Sequence, residues 1–190
     1  MKPAVIVVDM INDNVHGAQH GVAARARALV PAINRLLGQA HARGWPVVFA
    51  CDSFLPQDRL LSDSRLKPHA LRGTNGAAPI AELERREGDH LLPKRRMSAF
   101  FKTDLDQTLR TLQVDTVLVC GITTPFCVLT TALDAVSHDF AAMVVQDCCD
   151  AAKQAQHDAV VSCYAGSVLE PLLQLLTLEQ ALTIVGGGGG

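Results

Sequence analysis

The chain has 190 residues, 48% of them hydrophobic, and a formal net charge of −2, which is enough for one well-formed core and short for two ordinary domains. Its 17 Lys and Arg residues are scattered without a basic stripe, so nothing recommends nucleic acid or an anionic membrane surface as a partner. Six cysteines occur without a CxxC pair, and four lie in or beside strand-like apolar runs, so reduced thiols are expected in place of a disulfide framework.

In chain order, Ala4 to Val8 reads as a buried strand ending at Asp9. The run is too short for a signal-peptide core or a spanning helix, and a cytoplasmic location is expected. After an irregular polar stretch, Asn12 to Gly21, apolar residues at Ala26, Leu29, Val30, Ile33, Leu36, Leu37 and Ala40 mark an amphipathic helix over Val22 to Arg43. Pro31 is expected to bend that helix or mark its effective start, and Gly44 closes it. Trp45 to Cys51 is a second buried strand, ending at Asp52. Phe54 to Ala78 has no sustained period, and a connection that long in a compact domain is usually functional. A short helix over Pro79 to Arg86 is expected next, then a third strand over His90 to Pro93 followed at once by Lys94. Asp104 to Leu112 reads as a helix capped by Asp104 or Thr103.

The stretch Val117 to Ser137, VLVCGITTPFCVLTTALDAVS, is the one around which the chain is organised. Val117 to Cys120 is an apolar strand ended by Gly121, and Val128, Thr131, Ala132 and Ala135 then recur with helical spacing, which starts a helix near Pro125 to Cys127. Cys127 thereby sits in a first turn, where unpaired amides and the helix dipole favour an anion and are expected to lower its thiol pKa. Further on, Phe140 to Gln146 reads as a fifth strand, Ala151 to Ser162 as a helix, Pro171 to Leu176 as a short helix and Leu182 to Val185 as a sixth strand. One domain over residues 1–185 is expected, with residues 186–190 as a flexible glycine tail.

Strands alternating with helices imply an α/β fold, a three-layer αβα sandwich on a mostly parallel, doubly wound sheet of about six strands. In such sheets ligands bind outside the carboxyl ends of the strands, and Asp9, Lys94 and Cys127 all stand at such ends. A nucleophilic cysteine needs a base and a positive charge beside it; Asp9 and Lys94 are candidates for these tasks.

The segments VIVVDMINDNV, PHALRGTNGA, GDHLLPKRRMSAFFKTDL and VLVCGITTPFCVLTTALDA, in that order and spacing, resemble the isochorismatase-like cysteine hydrolases, which include nicotinamidases and N-carbamoylsarcosine amidohydrolases. The resemblance covers about residues 4 to 165. It implies a catalytic set of Asp9, Lys94 and Cys127, a cis peptide between Ile122 and Thr123, and an oxyanion hole made by the amides of Thr123 and Cys127. It also implies acyl transfer on a small carboxamide or ureido substrate with release of ammonia, and a homo-oligomer, dimer or tetramer; no cofactor is expected.

Three departures shape the expectation. Nicotinamidases carry a metal site whose first and last ligands match Asp52 and His69, but the middle position is Phe54, so no metal is expected. Asn14 stands where a phenylalanine is common and Leu66 where a tryptophan is common, which disfavours a flat aromatic amide. Asn14 offers hydrogen bonds to a small polar amide instead, with Phe54 and Phe126 lining a wall. The alternatives are a non-catalytic binding module or subunit on the same fold, and a redox-active thiol protein.

Overall fold

The computed structural model describes residues 1–17 and 21–187. Six parallel strands form one sheet in the order β3-β2-β1-β4-β5-β6: β1 (Pro3–Val8), β2 (Val47–Asp52), β3 (His90–Lys94), β4 (Thr116–Ile122), β5 (Ala141–Asp150) and β6 (Leu173–Leu176). Every residue of β1, β2 and β4 is buried, which is why their sequences run apolar without alternation. The helices are α1 (Asn12–Val15), α2 (Ala23–Ala42), α3 (Arg59–Ser62), α4 (Leu105–Thr111), α5 (Leu129–Ser137), α6 (Gln154–Tyr164) and α7 (Leu178–Gly186). From β1 the chain winds one way through α2 to β2; from β4 it winds the other way through α5 to β5. Right-handed crossovers then place α2 and α5 on opposite faces, giving three layers. Strand order reverses between β1 and β4, and the carboxyl ends of these two strands flank a crevice.

Gly121 is required where β4 passes β1. Its φ is +105°, and a Cβ there would lie 2.1 Å from the carbonyl oxygen of Val8. The register between β4 and β5 shifts at the same place, between Val119 and Gly121, so the chain leaves the ladder toward the crevice.

Three expectations are corrected, and one alternative for Pro31 is removed. Pro79 to Arg86 is not helical: Ile11 bridges Pro79, Ile80 donates to the Met10 carbonyl, and the Asn34 side chain binds the Glu82 carbonyl and the Glu84 amide. Those partners take the backbone groups that a helix would need. The leucine run expected as a helix over Pro171 to Leu176 instead supplies β6, pairing Leu173 with Ala142 and Leu176 with Val145. Leu182 to Val185, expected as a strand, belongs to α7, which a capping box of Thr177 and Gln180 starts. Pro31 lies inside an unbroken α2 that begins at Ala23, so it does not mark the start. Gly186 ends α7, and the remainder of the expected glycine tail, residues 188–190, lies outside the described residues.

Candidate active site

Asp9 follows the last residue of β1 in a left-handed conformation, φ +52°, and its amide donates to the Ala50 carbonyl of β2. One Asp9 oxygen accepts from the Asp52 amide at 2.8 Å and the other from the Lys94 ammonium at 2.8 Å. The register of β2 and β3 sets Asp52 directly beside Lys94, and Lys94 Nζ donates to Asp52 Oδ1 at 2.5 Å. Its third acceptor is the Arg96 carbonyl, at 3.2 Å. With 0% exposure, Lys94 is therefore satisfied on all three N–H groups, as a buried charge must be. Two carboxylates and their attraction hold it protonated well above the ordinary lysine range, against the burial that opposes its charge.

Cys127 reaches this cluster from a π-helical turn, Thr124–Val128, that leads into α5. Its sulfur and carboxylate oxygens of Asp9 and Asp52 lie within 4.8 Å of one another. The Thr123 carbonyl accepts from the amides of Phe126 and Val128, which fixes the turn, and the Ile122–Thr123 peptide is cis. Thr124, wholly buried, exchanges a hydrogen bond between its hydroxyl and His157 Nδ1 of α6 at 2.9 Å. Neither Thr124 nor His157 was singled out from the sequence; a buried threonine in an apolar turn carries no distinctive signal.

The expectation of a lowered thiol pKa is corrected. Burial pushes the Cys127 thiol well above its usual range; Lys94 pulls it down, while Asp9 and Asp52 push it up again. A helix end and one ammonium do not outweigh burial beside two carboxylates. A thiol held up in this way rests neutral, with the Asp9 and Asp52 carboxylates close by. Burial, then the neighbouring Asp9, raises Asp52 from 3.8 to about 7, with Lys94 opposing.

A cavity of about 450 Å³ opens over this cluster, and Asp9, Asn14, Phe54, Thr123, Phe126 and Cys127 all line it. Asn14 donates its amide to the Asp9 carbonyl at 3.0 Å, so part of its hydrogen-bonding capacity holds the base in place. Phe54 is buried and meets His69 edge to face at 5.5 Å, whereas Phe126 is 55% exposed at the mouth. The metal site of nicotinamidases does not suit these residues. Phe54 offers a hydrocarbon ring where the middle ligand would stand, and the Asp52 carboxylate is committed to Lys94. Among the described residues, Asp9, Asp52 and Cys127 are grouped closely enough to hold an ion, but an ammonium already lies between their carboxylates.

A thiol beside a carboxylate and a buried ammonium, at the switch point of a parallel sheet, defines a class of site suited to nucleophilic attack with proton transfer. Residues 3–172 match the isochorismatase domain, and the chain belongs to the isochorismatase family of hydrolases. It is 32% identical over 179 residues to an uncharacterized isochorismatase family protein, PncA, of Bacillus subtilis, covering 88% of this chain and 97% of that one. It is 30% identical over 166 residues to an Arabidopsis thaliana protein named a probable inactive nicotinamidase, with coverage of 82% and 84%. The crystal structure of N-carbamoylsarcosine amidase from Thermoplasma acidophilum superposes with a TM-score of 0.80 at 29% identity, over 93% of this chain and 96% of that one.

Proposed function

We propose that this protein is a cysteine amidohydrolase that cleaves a small carboxamide or ureido C–N bond and releases ammonia. The observation that carries the reading is the Cys127 sulfur within 4.8 Å of the Asp9 carboxylate, which the buried ammonium of Lys94 also contacts. Cys127 Sγ attacks the carbonyl carbon as its proton passes to Asp9. The amides of Thr123 and Cys127 receive the oxyanion. Asp9 then gives the proton to the leaving nitrogen, the C–N bond breaks, and ammonia departs from a thioester, or from a thiocarbamate if the substrate is a ureido compound. Asp9 next takes a proton from water, which attacks the same carbon, and returns that proton to sulfur as the acid leaves. Lys94 holds the Asp9 carboxyl group in place throughout the cycle. A neutral resting thiol suits this cycle, because proton transfer to Asp9 can accompany attack.

The likeness to N-carbamoylsarcosine amidase supports the ureido class, since an N-carbamoyl group is a ureido group when its nitrogen is substituted. Asn14 and Leu66, where aromatic residues would stack on a pyridine ring, support a substrate other than nicotinamide. The second reading, a non-catalytic member of the fold, is favoured by the relative named inactive. Ammonia release from a panel of ureido acids, small amides and nicotinamide separates the two. The amidohydrolase reading expects turnover of one class that vanishes in Cys127→Ala, and turnover surviving that substitution would overturn the mechanism.

A further inference from the structure

The cavity is much larger than the group that Cys127 would attack. A carbonyl carbon with its oxygen and nitrogen needs roughly the room of three water molecules, about 90 Å³ at about 30 Å³ each, whereas the cavity offers about 450 Å³. Most of that space therefore receives whatever the amide is attached to. Val22, Leu60, Leu66, Met97, Ile122 and Pro125 line it, so apolar side chains come from the entry to α2, from the connection after β2, from the stretch after β3 and from the end of β4. The polar side chains of the lining outside the inner cluster have other partners. Asn14 donates to the Asp9 carbonyl, the Ser64 hydroxyl donates to the Leu60 carbonyl, and His69 Nδ1 meets the Lys67 carbonyl at 2.9 Å. Arg65 and Gln156 are exposed to water. Met97 and Phe126, both in the lining, stay 40% and 55% exposed, which leaves apolar surface facing water until a ligand covers it.

We propose that the substrate joins its reacting amide to an uncharged aliphatic body of several carbons, which the apolar wall of the cavity takes up. This rests on the amidohydrolase reading for what happens at the amide end. A small polar amide would leave the apolar wall wet and most of the cavity to water, and would gain little from it. Each methylene moved from water onto such a wall is worth about fourfold in binding. A charged group on the body would have to give up hydration against hydrocarbon, which is costly without a partner. Aliphatic and thioether side chains also make an uneven wall, which a puckered or branched body fills better than a flat ring does.

The test compares propanamide, butanamide, pentanamide and hexanamide, with 5-carboxypentanamide as the charged counterpart of hexanamide and cyclohexanecarboxamide beside benzamide as puckered and flat rings. Ammonia release gives kcat/KM, and calorimetry on Cys127→Ala protein gives dissociation constants apart from turnover. Both are expected to improve about threefold to fourfold per methylene, roughly 30- to 60-fold from propanamide to hexanamide. The terminal carboxylate should cancel most of that gain, and cyclohexanecarboxamide should exceed benzamide. Met97→Gln and Leu66→Gln should each lower the hexanamide-to-propanamide ratio about threefold, while the volume-conserving Met97→Leu keeps it; thermal denaturation confirms that the variants fold. A series flat within about twofold, a carboxylate that improves on hexanamide, benzamide ahead of cyclohexanecarboxamide, or no binding of hexanamide at millimolar concentration would overturn the inference. So would a ratio unmoved in both Gln variants; if Met97→Gln then changed the oligomeric state, the exposed rim would belong to a second copy of this chain. Binding that tightens along the series without turnover by the Cys127 protein would count against the amidohydrolase reading alone, and turnover without the series would count against the aliphatic body alone.

Discussion

Lys94→Met removes the ammonium at the centre of the cluster and leaves two buried carboxylates facing each other. Lys94 is fully buried and touches Asp9, Asp52 and the Arg96 carbonyl, so water cannot replace what is lost without entering the core. Breaking a buried ion pair by deleting one partner costs about 3–5 kcal/mol, a large share of a total stability of about 5–15 kcal/mol. For a chain of this size the melting temperature then falls by roughly 6–20 °C, at about 2–4 °C per kcal/mol. Asp52 already sits at about 7 with Lys94 present, above its ordinary 3.8. A raised folded-state value means that the folded protein keeps a proton the unfolded chain releases. The Asp52 contribution is thus fully present below about 4 and is lost as pH rises through 7. Removing Lys94 raises Asp52 further, so the variant recovers stability as pH falls from 8 toward 5. The companion Lys94→Met/Asp52→Asn protein, with one charge fewer to bury, is expected to regain a substantial part of the loss. Urea unfolding at pH 5, 6.5 and 8 measures all three. A Lys94→Met protein within about 1 kcal/mol of the parent, a surface-like value, or a deficit that does not change with pH, would refute the reasoning.

Other outcomes follow from the same geometry. Asp9→Asn removes a negative charge that holds the Cys127 thiol up, so iodoacetamide should label Cys127 faster in the variant, roughly fivefold or more at pH 8, while ammonia release is lost. In the parent protein that labelling rate should keep rising across pH 7–10, as peptide mapping would show. Gly121→Ala places a methyl group against the Val8 carbonyl at a positive φ, and should cost about 3 kcal/mol or more, or abolish folding, read by thermal denaturation. Thr124→Val deletes the hydrogen bond to His157, with a cost of about 1 kcal/mol to stability. Its turnover number should fall more than its KM rises, because the bond steadies the turn that carries Cys127.

Strands β1 to β5, α2 and the helix after β4 were legible from their apolar runs and helical spacings. The places of Asp9, Lys94 and Cys127 followed from the rule that strand ends gather at one side of a parallel sheet. Strand neighbours are another matter: nothing in the sequence sets Asp52 beside Lys94, and only the register of β2 with β3 makes them partners. The two C-terminal reversals have local causes. The run Leu172 to Leu176 satisfies either period, and the open edge of β5 decides for a strand. Thr177 and Gln180 spell a capping box, a readable signal for α7 that the apolar residues 182–185 masked. The direction of the Cys127 shift was misread because a helix start is visible in sequence, whereas burial beside two carboxylates is visible only in three dimensions.

The central claim is a covalent bond between substrate and Cys127. Its most direct test is acid quenching of a reaction with a turned-over ureido or amide substrate, followed by intact-mass measurement and peptide mapping. The account predicts an added acyl or carbamoyl mass on the peptide that contains Cys127, formed and cleared at rates able to support turnover and absent from Cys127→Ala. Steady turnover with no such adduct at any time, or with the adduct on another residue, would contradict it.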